Sequence, residues 1–145
     1  MREILFRGKA MTTDRFVEGA YYHQMEFFGD ECEELYIISS KDVLEDNMTC
    51  CDEVFPETVG QYTGLTDKNG TKIFEGDIVV FNKKRNLPNY RIKPKVVFYD
   101  ERNAQFTRFE SPYATLQKNM MSECEVIGNI HDNPELLKEG AENDK

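Results

Sequence analysis

The stretch Thr58-Val59-Gly60-Gln61-Tyr62-Thr63-Gly64-Leu65-Thr66-Asp67-Lys68-Asn69-Gly70-Thr71-Lys72-Ile73-Phe74-Glu75-Gly76-Asp77-Ile78-Val79 decides how this chain folds. Residues Val59 to Leu65 carry the aromatic and β-branched side chains of a strand. They lead into Asp67-Lys68-Asn69-Gly70, whose Asn-Gly pair supplies the positive φ angles of a tight hairpin turn. Lys72-Ile73-Phe74 returns, and Glu75-Gly76-Asp77 breaks the chain again. Ile78-Val79-Val80-Phe81 then places four apolar β-formers in a row. Neither face of that strand is polar, so it must be covered on both sides or help to close a small barrel.

Working outward, the same texture continues. Arg2 to Arg7 alternates as a first strand with Ile4 and Phe6 on one face, and Val17 to Gln24 and Glu34 to Ile38 read as further strands. Ser39 with Asp42 could open a helical turn, and Asn47 to Asp52 reads as loop. Downstream, Lys95 to Tyr99 is a buried strand, Asp100 to Asn103 a turn, and Ala104 to Phe109 a more exposed strand. Ser111-Pro112 could cap a short helix through Met120. Glu125 to Ile130 is a last strand in which Gly128 marks a bend or a close backbone approach. Asn133-Pro134 then caps a terminal helical turn. Parallel α/β folds are excluded, because each of their crossovers needs about a dozen residues or more. The fold class is mainly β, α+β with little helix. It comprises an N-terminal β-rich acidic segment (1–57), a C-terminal SH3-like small β-barrel (58–137) and a frayed tail (138–145).

The 145 residues carry 18 Lys and Arg against 27 Asp and Glu, a formal charge of −9 that is unevenly spread. Residues 1–29 are neutral, 30–57 carry −9, 58–122 carry +5 and 123–145 carry −5. Within the basic middle, Lys83, Lys84, Arg85, Arg91, Lys93 and Lys95 are six positive groups in 13 residues without an acid. With Tyr90 for base stacking, this loop could grip nucleic-acid phosphates. It could equally be a solvated connection between strands, or meet the acidic segment 30–57 within one subunit or across an oligomer interface.

Chemistry is sparse. Cys32, Cys50, Cys51 and Cys124 form no C-x-x-C pair, and His23 and His131 add no ligand pair, so neither a metal nor a cofactor is expected. No nucleophile lies in a recognisable catalytic setting. Asp67, Glu75 and Asp77 flank turn glycines, where carboxylates commonly bind backbone N–H groups. Tyr21-Tyr22 and Phe27-Phe28 differ from the other aromatics, since one member of each pair should face outward as a subunit contact or as a lid over the barrel. No apolar run approaches the roughly 20 residues of a membrane span, and Met1 to Arg7 has no signal-peptide apolar core. The expected setting is soluble and cytoplasmic.

The run 58–79 closely resembles the signature of the YopX family, small proteins encoded by phages and prophages of low-GC Gram-positive bacteria and their relatives. Arg2 to Arg7 resembles the family's first strand, and Val126-Ile127-Gly128-Asn129-Ile130-His131-Asp132-Asn133-Pro134-Glu135-Leu136-Leu137 its closing motif. The resemblance implies a β-rich fold with an SH3-like barrel and no assigned activity, and it carries over no catalytic residue. The resulting expectation is a non-enzymatic phage or prophage accessory protein that contacts a host or phage protein, and the sticky aromatic and acidic N-terminal half adds the expectation of a homo-oligomer. Two other readings are a nucleic-acid-binding module using residues 83–95, and an inhibitor whose acidic segment 30–57 imitates phosphates.

Overall fold

The computed structural model describes residues 3–44, 48–81, 93–107 and 118–142, with side chains described for 3–39, 51–81, 93–107 and 121–138. Two compact units divide the chain, Met1–Tyr62 and Thr63–Lys145. Both are built from antiparallel strands, so the mainly β class holds. Among the described residues no sheet closes into a barrel, and no helix is long and apolar enough to cross a membrane.

The first unit contains β1 (Phe6–Lys9), β2 (Phe16–Phe28), β3 (Glu31–Leu44) and β4 (Met48–Glu53), followed by a 3-10 turn (Pro56–Thr58) and the start of β5 (Gly60–Thr66). Strand order is β4-β3-β2-β1-β5. The first strand therefore begins later than its alternation suggested. Ile4 is 71% exposed, and pairing with β2 starts at Phe6 opposite Gly19. Beyond Ser39 there is no helical turn, because β3 continues to Leu44 and residues 48–53 pair back onto it as β4.

Packing in this unit centres on Ile38, Val54 and Ala10, none of which has accessible surface. Gly8 lies between them. A Cβ there would sit 3.0 Å from Ile38 Cδ1 and 3.2 Å from Val54 Cβ, tighter than a well-packed interior tolerates. Thr58 ties the 3-10 turn to β1. Its hydroxyl donates to the Phe55 carbonyl at 2.6 Å and accepts the Lys9 N–H at 2.8 Å. Replacing Gly8 with alanine is expected to cost about 1–2 kcal/mol through overpacking, read as a lowered urea midpoint with an unchanged slope.

The second unit takes the rest of β5, then β6 (Lys72–Phe74), β7 (Asp77–Phe81), β8 (Lys95–Val96), β9 (Phe98–Asp100), β10 (Gln105–Thr107), a 3-10 segment (Lys118–Glu123), β11 (Cys124–Asn129) and α1 (Glu135–Glu142). β7 lies between β11 and β8. Its adjacent residues Ile78 and Val79, which point to opposite faces, are both fully buried, as its unbroken apolar run required. Ile73, Val79, Val97, Phe106, Met121 and Cys124 form the core, with Leu65, Phe81 and Val126 packed against it.

Three expectations change here. Lys95 to Tyr99 is two strands, because Val97 leaves the ladder: its N–H donates to the Asp77 carbonyl at 2.9 Å and its carbonyl accepts the Gly76 N–H at 2.8 Å. Phe106 and Thr107 are buried, so that strand is not the exposed one its polar neighbours implied. The turn after β5 is wider than a two-residue Asn-Gly loop: Gly70 alone within it has positive φ (82°), and Asp67 and Thr71 close it with an N–H to carbonyl bond of 2.8 Å. The short helix expected from Ser111 falls largely outside the described residues.

Candidate functional site

The second unit spends its buried carboxylates on its own backbone. Asp67, at the end of β5, accepts the N–H groups of Asn69 (2.8 Å) and Thr71 (3.0 Å) on Oδ1 and that of Val126 (3.0 Å) on Oδ2. One side chain thereby shapes the β5–β6 turn and fastens it to β11. Desolvation works against its ionisation, but the donors of Val126, Thr71 and Asn69, helped by nearby Lys68, outweigh it and hold the carboxyl below its usual range. Asp77 Oδ2 accepts the Phe74 N–H at 2.8 Å across the β6–β7 turn. These carboxylates shape turns, as their glycine neighbours suggested. An open cleft of about 390 Å³ lies beside Asp67, lined also by Gly64, Leu65, Lys68, Met121 and Ser122. Its charged groups are engaged, since Lys68 Nζ is 3.1 Å from Glu125.

The first unit differs, because it exposes apolar side chains on an incompletely flanked ribbon. β2 and β3 pair from Ala20↔Ser39 to Phe28↔Glu31, and Gly29 at φ 67° turns the chain. β1 covers β2 only from Phe16 to Gly19, and β4 meets β3 only from Ile37 onward. Among the described residues, His23–Phe28 and Glu31–Leu35 therefore form a two-stranded arm with no strand on either outer edge. Residues directly opposite share a face, which puts His23/Tyr36, Met25/Glu34 and Phe27/Cys32 on one side. Gln24/Leu35, Glu26/Glu33 and Phe28/Glu31 lie on the other.

Toward its end the arm leaves large apolar groups in water: Met25 is 50%, Phe28 62% and Phe27 71% exposed. Nearer the base, Tyr21 is half-buried, its ring 5.7 Å from that of Phe6. Tyr22 is exposed, with its hydroxyl 3.7 Å from Cys51 Sγ. One tyrosine of that pair thus faces inward, while both phenylalanines of the other pair face solvent. His23 stacks on Tyr36 with ring centroids 4.8 Å apart, and its Nε2 lies 3.7 Å from Glu34. Tyr36 donates its hydroxyl to the same Glu34 carboxylate at 2.8 Å, which holds the phenol above its ordinary pKa.

The arm carries Phe27 and Phe28 on opposite faces of its end, leaves Tyr22 at its base beside Cys51, and adds Met25, Cys32 and the His23-Glu34-Tyr36 group, which sequence reasoning did not single out. Gly29-Asp30 between two alternating runs was the available signal for the hairpin. Of the residues named in the basic loop, Lys83, Lys84, Arg85, Tyr90 and Arg91 lie outside the described residues. Lys93 is exposed, and Lys95 is half-buried in β8 opposite Val79.

The closing segment packs closely on itself around one glycine. The β11 ladder shifts register between Val126 and Gly128, and a Cβ on Gly128 would meet Asn133 Oδ1 at 2.6 Å. Gly128 thus admits a close approach by the turn that follows, and the turn motifs of 58–79 and 126–137 each have a definite structural task. A family profile described as YopX protein matches residues 5–138. The chain belongs to the YopX family. The crystal structure of protein EF1440 from Enterococcus faecalis is similar to this YopX-family chain, with 24% identity over 94% of this chain and 99% of that one and a TM-score of 0.55. That likeness concerns the fold. No curated protein matches.

Proposed function

We propose that this YopX-family chain is a non-enzymatic protein-interaction module that works as a homo-oligomer, with the β2–β3 arm as its contact element. In this reading it serves as a phage or prophage accessory protein in the cytoplasm of a bacterial host, and its second unit is an SH3-like barrel. The carrying observation is the exposure of Met25, Phe27 and Phe28 at the end of one ribbon. Met25 and Phe27 share one face of the ribbon and Phe28 lies on the other; exposed apolar side chains rimmed by polar ones mark interaction surfaces, and aromatic residues anchor such contacts. Burial of β7 on both faces supports the barrel reading of the second unit.

The test is molar mass by light scattering during gel filtration, across the micromolar range. Wild type is expected to elute as an oligomer and Phe27→Ser/Phe28→Ser as a monomer with an unchanged circular dichroism spectrum. A wild type that stays monomeric overturns the reading. Salt-sensitive retention of single-stranded DNA by wild type, lost on changing Lys83, Lys84 and Arg85 to Glu, would favour the nucleic-acid module instead.

A further inference from the structure

We infer that the oligomer contact is an antiparallel pairing of β2 with β2 of a second copy, centred on Met25, which joins two arms into a four-stranded sheet. The inference rests on the arm being the oligomer contact and adds which edge is used and in what register. A two-stranded ribbon in water is marginal, and a third strand on its edge supplies the missing stability. The arm has two edges to offer, and their chemistry differs sharply.

The β3 edge is defended. Glu31, Glu33 and Glu34 crowd its arm portion. Any two-fold register centred between Glu31 and Glu34 opposes two carboxylates, with Asp30 facing Glu33 in the one case where no two of these glutamates meet. Like charges directly opposite are destabilising, and carboxylates on an edge strand are a recognised block to edge pairing. The β2 edge carries a single acid in the arm, Glu26, among His23, Gln24, Met25, Phe27 and Phe28.

Two-fold pairing about Met25 makes the β2 edge complementary to itself. Met25 meets Met25, His23 meets Phe27, and Tyr22 meets Phe28. Gln24 faces Glu26, and these two side chains already form a 2.9 Å hydrogen bond within one chain. Moving the axis to Glu26 would oppose two carboxylates. An isologous contact of this kind closes on itself as a dimer.

The experiment uses the full chain. Met25→Lys and Met25→Glu each place like charges on the axis at a half-exposed position that the fold does not need. Each variant alone is expected to dimerise about tenfold more weakly than wild type. Mixing the two should restore association, because Lys then faces Glu. Each arm carries Glu26, Asp30, Glu31, Glu33 and Glu34 without Lys or Arg, so wild-type association should tighten as salt rises from about 0.05 to about 0.5 M. An oligomer in which both variants behave as wild type, or in which mixing restores nothing, overturns the β2 register while leaving the arm as contact. Association that weakens with salt also overturns it and favours oppositely charged surfaces. A wild type monomeric throughout removes the underlying reading as well.

Discussion

Replacing Asp67 with alanine is expected to destabilise the second unit by about 4 kcal/mol. The residue is 6% exposed, and its carboxylate accepts three backbone N–H groups from two separate segments. Charge-assisted bonds of this kind contribute about 1.5–3 kcal/mol each, and a buried donor left without its acceptor costs about 1–3 kcal/mol. The total is tempered because Asn69 and Thr71 lie in an exposed turn, where water can replace the lost oxygen. Val126, inside β11, has less access to water. Urea unfolding should show the loss, and hydrogen exchange should place it at residues 67–72 and 124–128. The pH dependence follows from the depressed carboxyl. Its stabilisation is fully present above the unfolded value of about 3.9 and is lost as pH falls through the lower folded value. Wild type should therefore lose stability steeply below about pH 4, and Asp67→Ala should lack that component. An alanine variant with wild-type stability would remove Asp67 from the role described.

Gly128→Val is expected to cost about 3 kcal/mol. The glycine is not there for an unusual backbone, since its φ lies outside the positive range of Gly29, Gly64, Gly70 and Gly76. It is there because Asn133 occupies the space of its side chain, with Asn133 Oδ1, Cβ and Cγ all within 2.9 Å of an added Cβ. Asn133 cannot leave without consequence. Its N–H donates to the Asn129 carbonyl at 2.8 Å, and Asn129 in turn accepts the N–H groups of His131 (3.0 Å) and Asp132 (2.9 Å) on its side chain. Forcing extra atoms into such a site typically costs about 1–3 kcal/mol, and branching at Cβ sets the upper end. Thermal unfolding should report the loss. Asn133→Gly should recover part of it in the double variant, which a loss caused by backbone propensity would not show.

What could be read in advance, and what could not, follows from the range of the forces involved. The two turns of 58–79 were legible because glycine and aspartate act within a few residues. Asp67 and Asp77 bind N–H groups two to four positions away, where a sequence pattern can see them. The same pattern could not show that Asp67 also reaches Val126, 59 positions on. Gly128 as a point of close approach was legible, but its partner Asn133 was not. The arm was half legible. Val17 to Gln24 has the β-branched and aromatic residues of a strand, yet Glu31 to Glu34 contains residues depleted in strands. Those residues are extended because a continuous ladder from Ala20↔Ser39 to Phe28↔Glu31 holds them. The split at Val97 likewise reflects bonds to Gly76 and Asp77 that no local propensity encodes. Of the candidate site, the paired aromatics were visible as a surplus. Their exposure became apparent only with the register and with the points at which β1 and β4 stop.

One feature of the first unit bears on how the chain is made. Phe6 and Gln61 pair although they stand 55 positions apart, whereas β2, β3 and β4 join through adjacent hairpins. Closing a long loop is slow relative to zipping a local hairpin. A ribosome delivering the chain from its N-terminus releases the β2–β3 arm well before Gly60 and Gln61 arrive to complete the neighbouring edge. The apolar end of the arm is thus presented to solvent, and to arms on neighbouring nascent chains of the same message, while the unit that carries it is still open.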